Sequence, residues 1–355
     1  MTEELRRWWP ILGLTVVVAA AMQWAGLPSP ALFGALVTGI VVACVRAEPP
    51  LPSAGAIKLS QSVIGVTVGC YVQLPILVEV LHNAAPILAI TAATLALSIV
   101  AGIALSRWQR VDRTTAVFGL IAGGASGLTA ISRDLGADDR LVALMQYARV
   151  LLILVTMPAV LAVAFAAPST NTAVGGSGSH VLSGLVLTVL CVPVGRALAR
   201  LLHLPVGSLL GPLIVAATVV ILSTRHGGSA LSVPVLVQDG AYAAIGLQAG
   251  LRCSPASLRA AGRVLLASVT LTCLVIISCA GLGLAMAAWI HVSALDGYLA
   301  TTPGGLYAVL ATANQTGSNT TLVLAVQVLR LLVMLVCAPL IASRLGRQAA
   351  TSPEP

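Results

Sequence analysis

Charge is what this chain has least of. Only 8% of its 355 residues are Asp, Glu, Lys or Arg, whereas a soluble domain carries about a quarter. That shortage excludes an ordinary water-facing surface. Histidine is also sparse. His82, His180, His203, His226 and His291 fall at or near the ends of apolar segments and form no ligand pair, which argues against a histidine-built metal centre. The seven cysteines, at 44, 70, 191, 253, 273, 279 and 337, include no CxxC. They read as small apolar filler, not as a disulfide framework or a metal site. There is no HxxxH, no Walker A loop and no nucleophile–histidine–acid grouping. No catalytic residue, metal or cofactor is therefore expected, and a primary pump contained in this chain is excluded.

Hydrophobic residues, by contrast, make up 58% of the chain, and runs of membrane-spanning length recur from end to end. They lie at about 9–26, 28–45, 57–74, 84–106, 141–166, 180–202, 205–223, 234–251, 264–290 and 320–343. Two polar-interrupted segments, about 114–132 and 298–313, remain. The opening stretch, with Arg6 and Arg7 before an apolar run, has the make-up of a signal peptide. It reads instead as a first span, because another follows almost at once and Trp8, Trp9 and Trp24 sit where interfacial anchors belong. The net charge of +8 does not point to nucleic acid, since the basic residues lie in short loops where they orient a membrane protein.

Those basic residues decide the topology. If both polar segments dip in and return, the inside carries Arg6 and Arg7, Arg46 and Lys58, the arginines from 107 to 140, Arg196 and Arg200, the arginines from 252 to 263, and Arg344 and Arg347. The outside then carries Glu79 and His82, an uncharged Ser/Gly linker, Arg225 with His226, and His291 with Asp296, so only Arg225 breaks the pattern. Full crossing by both segments scatters the arginines over both sides. The expectation is ten spans, two re-entrant or broken helices, and both termini cytoplasmic in the cell (inner) membrane.

The halves resemble each other. A shift of 181 aligns "IGVTVG" (64–69) with "IGLQAG" (245–250), and 119–158 with 300–339, where 12 of 40 positions are identical. The identities include Gly123 and Gly124 with Gly304 and Gly305, Gln146 with Gln327, Arg149 with Arg330, and Pro158 with Pro339. Earlier, "LPSPALFGALV" (27–37) echoes "LPVGSLLGPLI" (204–214). Five spans per copy is an odd number, so the second copy starts on the opposite side. The expected fold is all-α: a polytopic membrane protein of two inverted-topology repeats, each of five spans plus one re-entrant or broken helix. The expected organisation is a first membrane repeat (1–166), an extracytoplasmic linker (167–179), a second repeat (180–344) and a disordered cytoplasmic tail (345–355).

Arg149 and Arg330 are the leading site candidates. Each lies eight to ten residues inside an apolar run, near mid-depth at about 1.5 Å per residue. An arginine there costs about 2.5–3.5 kcal/mol on insertion scales. Two readings are open: binding of an anionic substrate, or anchoring of glycine-rich backbone through its carbonyls. Gln146 and Gln327, one turn earlier on the same face, fit either role. The substrate-binding set is completed by Gly123, Gly124, Ser126, Gly127, Thr302, Pro303, Gly304 and Gly305, where glycine and proline interrupt a helix and free its amides and carbonyls. Lys58 and Asp239 align under the same shift. They could pair across a pseudo-twofold axis, and Asp239 is the coupling-ion candidate. Asp138 or Asp139 is expected to cap the helix that follows.

At "GGASG…LGADDRLVALMQYARVLL", and again at "TPGG…QVLRLL", the sequence resembles the bacterial AbrB membrane family, over roughly 10 to 344. The second motif departs from the pattern, because its charged turn is replaced by "ANQTGSNTT". The resemblance implies a duplicated membrane architecture and leaves the substrate open. Family labels disagree: ammonia monooxygenase, regulator of gene expression, and a suspected transport role. Five dispersed histidines do not suit an oxygenase, and the inside loops are too short for a DNA-binding module. The expected function is secondary transport of a small metabolite, with an anion favoured, by alternating access. The alternatives are a membrane sensor or regulator acting indirectly on gene expression and, more remotely, a monooxygenase component. Expected partners are the small-molecule substrate, the lipid bilayer and a second copy of the chain in a homo-oligomer.

Overall fold

The computed structural model describes residues 2–25, 29–46, 49–72, 78, 80–121, 137–165, 178–204, 207–225, 231–252 and 255–350. Among the described residues every regular element is a helix. The first half holds α1 (Thr2–Trp24), α2 (Pro30–Val45), α3 (Ala54–Cys70), α4 (Ala84–Gln109), α5 (Arg113–Leu120) and α6 (Asp139–Val160). A π-helical turn, Leu161–Phe165, extends α6. The second half holds α7 (Gly178–Leu201), α8 (Gly207–Arg225), α9 (Val235–Leu251), α10 (Pro255–Ile290), α11 (Ala294–Thr301), α12 (Leu306–Gln315) and α13 (Thr320–Ala350).

Each of the ten apolar runs falls on a helix. Among the described residues, five segments are long and apolar enough to cross a bilayer: Ala84–Gln109, Leu141–Phe165, Val181–Leu201, Gly207–Thr224 and Gly262–Ile290. Pro30–Val45, Ala54–Cys70 and Thr320–Met334 are apolar but shorter. Large apolar side chains stand exposed along these rods, among them Val189, Leu190 and Val194 on α7 and Leu266, Leu274 and Ile277 on α10. Water would penalise such faces and a lipid surface does not. Exposed Trp24, Trp108 and Trp289 close the ends of α1, α4 and α10, as interfacial anchors do.

Capping fixes the short and the late helices in both halves. The Asp112 carboxylate accepts from the amide of Thr115 at the start of α5, and Ser293 Oγ accepts from Asp296 at the start of α11, both at 3.0 Å. Asp138, rather than Asp139, caps α6 by accepting from the Leu141 amide at 3.0 Å. Its aligned residue Asn319 caps α13 by accepting from Leu322 at 3.1 Å. The turn before α13 passes through Gly317 at φ 70°, a left-handed conformation that glycine adopts without penalty.

The chain packs as two compact units, and each draws on both halves of the sequence. The first unit contains Met1–Glu79, Leu154–Ser254 and Leu306–Leu322, and so α1–α3, α7–α9 and α12. In it α2 packs on α9 and α3 on α8. A Cβ on Gly65 would lie 2.3 Å from the Leu209 carbonyl oxygen, and one on Gly246 would lie 2.1 Å from that of Leu32. Gly65 aligns with Gly246, and Leu32 with Leu209, so the two contacts are equivalents with the halves exchanged. Gly69 against Leu213 and Gly250 against Leu36 repeat the exchange one turn on. Gln61, a neighbour on α3, bonds Ser208 and Tyr307, while Tyr71 bonds Asn314 and Ser29 bonds Gln315, which fastens α12 within this unit.

The second unit contains Val80–Ile153, Pro255–Gly305 and Val323–Pro355, hence α4, α5, α10, α11 and parts of α6 and α13. Its cores gather Leu95, Val117, Phe118, Val142 and Met334, and Leu105, Leu120, Met145, Val275 and Cys279. Gly283 and Gly297 bring α10 and α11 together, a Cβ on the latter falling 2.2 Å from the Gly283 carbonyl oxygen.

α13 continues to Ala350, through Gly346. Lys58 and Asp239 do not pair. Lys58 is exposed, Asp239 is half-buried, and among the described residues no ion pair joins them.

Candidate functional site

The segment 298–313 is the broken helix that its sequence implies. α11 stops at Thr301, four residues follow without helix, and α12 starts at Leu306. Pro303 supplies no amide donor, while Gly304 and Gly305 take φ 135° and 70°. The interruption leaves the last carbonyls of α11 without helical partners. In the first half α5 ends at Leu120, the residue aligned with Thr301. Gly123, Gly124, Ser126 and Gly127 lie outside the described residues.

Arg149 and Arg330 take up those carbonyls. Arg149 Nη1 donates to the Leu120 carbonyl at 3.2 Å, and Arg330 Nη1 donates to Thr301 at 3.0 Å and to Thr302 at 2.8 Å. The glutamines do the same one turn earlier. Gln146 Nε2 donates to Phe118 at 2.9 Å, and Gln327 Nε2 to Leu299 at 2.8 Å and Thr302 at 3.2 Å. Leu120 and Thr301, like Phe118 and Leu299, are aligned residues, so one clamp is built twice. The anchoring reading of these side chains is thus realised for part of each.

The rest is not spent. Both arginines are buried, at 5% and 4% exposure, and the Nε of each has no hydrogen-bond partner. The guanidinium groups lie within the second unit, near enough to repel each other. Among the described residues no carboxylate pairs with either. Buried Cys279 lies in the field of both, and its carbonyl accepts from Thr301 Oγ1 at 2.9 Å. A Cβ on Gly304 would stand 3.2 Å from Arg149 Nε, so the glycine lets the broken backbone lie close against that guanidinium. The clamps differ in one bond. Arg330 Nη2 donates to Gln327 Oε1 at 2.6 Å, whereas Gln146 Oε1 is buried without a partner.

Cys279, read from sequence as filler, belongs beside these arginines, and nothing in its sequence context marks it. Asp239 lies elsewhere, in the first unit, within electrostatic reach of Tyr242, whose hydroxyl is buried and unpartnered. The structure does not bring Asp239 and Lys58 into one site. Among the described residues, no three His, Cys, Asp or Glu side chains group as metal ligands.

The family described as "Transition state regulatory protein AbrB" matches residues 31–346, which includes both clamps. The chain belongs to the AbrB family. It is 30% identical over 348 residues to the Escherichia coli (strain K12) protein named "Putative regulator AbrB", covering 95% of each chain. It is also 22% identical over 298 residues to the Bacillus subtilis (strain 168) protein "Uncharacterized protein YhjN", with 80% of this chain and 77% of that one aligned.

Proposed function

We propose that this AbrB-family protein is a secondary transporter of a small anionic metabolite, with no catalytic activity of its own. In this reading ten spans and two broken helices form inverted repeats in the cell inner membrane, with both termini cytoplasmic. The single observation that carries the reading is the pair of buried guanidinium groups. They repel each other, keep an unpartnered Nε apiece and have no carboxylate beside them among the described residues. A buried, unpaired cation costs several kcal/mol, and two together need an anion or a constant structural return. The carbonyl bonds supply part of that return and the free donors mark the remainder. The exchanged contacts at Gly65 and Gly246, and the doubled clamp, support duplication. Broken helices near mid-depth are where such transporters hold substrate.

The test is flux. Purified protein in proteoliposomes is expected to move at least one small organic acid, and Arg149→Ala to abolish that movement while membrane insertion is kept. A folded protein that moves none of a broad organic-acid panel refutes the reading.

The regulatory name of the Escherichia coli relative favours a second reading, a membrane sensor that alters gene expression through a soluble partner. The partner would dock on the basic cytoplasmic loops 106–113 or 252–263. Charge reversal there would lose regulation and spare ligand binding, whereas a transporter keeps its flux.

A further inference from the structure

We propose that the corner joining α4 to α5, together with the start of the straight part of α10, is a docking surface for the headgroup of an anionic phospholipid. Arg107, Arg110, Arg113 and Arg263 supply the charge, and Trp108 supplies an interfacial ring. All five lie within the second unit. Whether the chain transports or senses does not bear on this surface.

Local bonds shape the corner. Ser106 Oγ donates to the Val111 carbonyl at 2.7 Å, and Arg110 takes φ 52° within the turn so closed. Asp112 then starts α5 by accepting from the Thr115 amide. Ala101 and Leu105 share one apolar cluster with Ala267 and Val275, so α4 and α10 face each other along those residues. Trp108 lies seven residues after Ala101, and Arg263 lies four before Ala267. Each therefore continues the facing stripe of its helix past the last buried contact. Trp108 is 59% exposed, and all four arginines are exposed. Ala96, Val100 and Ala104 stand exposed at four-residue intervals before Trp108, and Leu266, Thr270 and Leu274 after Arg263. Guanidinium groups and an indole thus sit at the foot of two exposed, mainly apolar faces. Acyl chains would cover the faces, the indole would mark the interface, and the phosphate would meet the planar donors of arginine.

The charge stays positive when the acids are counted. Asp112 and Asp138 stand at this end, each accepting from an amide at a helix start at 3.0 Å. Asp138 is held there by its own amide, which donates to Thr115 Oγ1 at 3.0 Å. Sequence neighbours outside the described side chains add no net negative charge. Arg133 offsets Asp134, Arg140 offsets Asp139, and the stretch 253–261 brings only Arg259. Four arginines against two aspartates, with Arg259 added, leave three positive charges. Each basic residue near a membrane surface strengthens attraction to anionic lipid. A soluble acidic protein would meet the same charge. Trp108 and the apolar faces that lead up from this corner favour the lipid.

The experiment titrates the full chain, in a neutral detergent, with dioctanoyl phosphatidylglycerol, dioctanoyl phosphatidylcholine and glycerol phosphate. Binding is read by native mass spectrometry and by the rise in unfolding temperature that a ligand of the folded state produces. Phosphatidylglycerol is expected to bind and stabilise more than either comparator. The double variant Arg110→Gln/Arg263→Gln should weaken that binding about tenfold or more. Arg196→Gln/Arg200→Gln removes the same charge from the end of α7, and should change it less than about threefold. No preference over phosphatidylcholine would pass the arginines to a soluble acidic partner, and an equal effect of glycerol phosphate would pass them to a free anion. Either result, or equal losses in the two double variants, overturns the lipid assignment. If the first variant does not fold, a photoactivatable phosphatidylglycerol decides on the wild-type chain. Its crosslinks should map to residues 104–113 or 262–270, and crosslinks confined to other segments overturn the assignment.

Discussion

At the scale of the residue, the two arginines have one identity and unequal surroundings, and that inequality is measurable as stability. Replacing Arg330 by Met keeps the volume of the stem but strands the Thr301 carbonyl and the Gln327 amide oxygen, both buried, while the Thr302 carbonyl keeps the Gln327 amide as a donor. Each stranded group costs about 1–3 kcal/mol, and either substitution removes one of the two repelling charges, so the difference between the two lies in the stranded groups. Arg149→Met strands one carbonyl among the described residues, so Arg330→Met is expected to destabilise by about 1–3 kcal/mol more than Arg149→Met. Thermal unfolding of the two variants in one detergent checks the order, and equal losses would contradict it. Both arginines were legible in the sequence because a cation ten residues into an apolar run stands out. Their partners were not, because main-chain carbonyls leave no mark on residue type: Leu120 and Thr301 align without being identical. The Lys58–Asp239 pair failed for the converse reason, since an alignment of opposite charges fixes no distance.

At the scale of the element, the glycines matter where helices touch. Gly65 on α3 and Gly246 on α9 sit against the carbonyls of Leu209 and Leu32. Neither backbone can yield cheaply, so Gly65→Ala and Gly246→Ala should each cost about 1–3 kcal/mol, and similar amounts. Gly240, also on α9, faces open space, and a methyl group there would meet nothing within 4 Å. Gly240→Ala should therefore be neutral or stabilising by up to about 1 kcal/mol. Chemical or thermal unfolding of the three variants separates contact from propensity; a costly Gly240→Ala would mean that glycine content, not approach, sets stability. The caps give a parallel case, with Asp138→Ala and Asn319→Ala expected to lose about 1 kcal/mol each. Helix positions were legible from the apolar runs, and the break at 302–305 from Pro303 and the glycine pair. The close approach of α3 to α8 and of α2 to α9 was not, since a small residue in an apolar helix does not say which neighbour it admits.

At the scale of the whole molecule, sequence halves and packing units are different partitions. Repeat similarity divides the chain near residue 170, whereas contacts gather α1–α3 with α7–α9 and α4–α5 with α10–α11. Sequence alone could find the first partition, because duplication preserves order along the chain. The second depends on which helix faces meet, and the apolar faces of a membrane helix look alike whether lipid or protein covers them. Inversion of the repeats leads to a sharper test than span counting. Ala137 precedes the cap of α6, and Ser318 holds the aligned position before α13. If the halves run in opposite senses, these two residues lie on opposite sides of the membrane although they align. In a cysteine-free background, Ser318→Cys should react with a membrane-impermeant maleimide in intact cells, and Ala137→Cys only after the membrane is permeabilised. A cysteine at Gly176, in the linker, should label with Ser318→Cys. The signs come from the basic loops: Arg107 to Arg140 surround the first turn, whereas no lysine or arginine lies between Arg263 and Arg330 around the second. Labelling of both aligned positions from one face would mean that the copies are parallel, and the two clamps could then not approach a common depth from opposite sides.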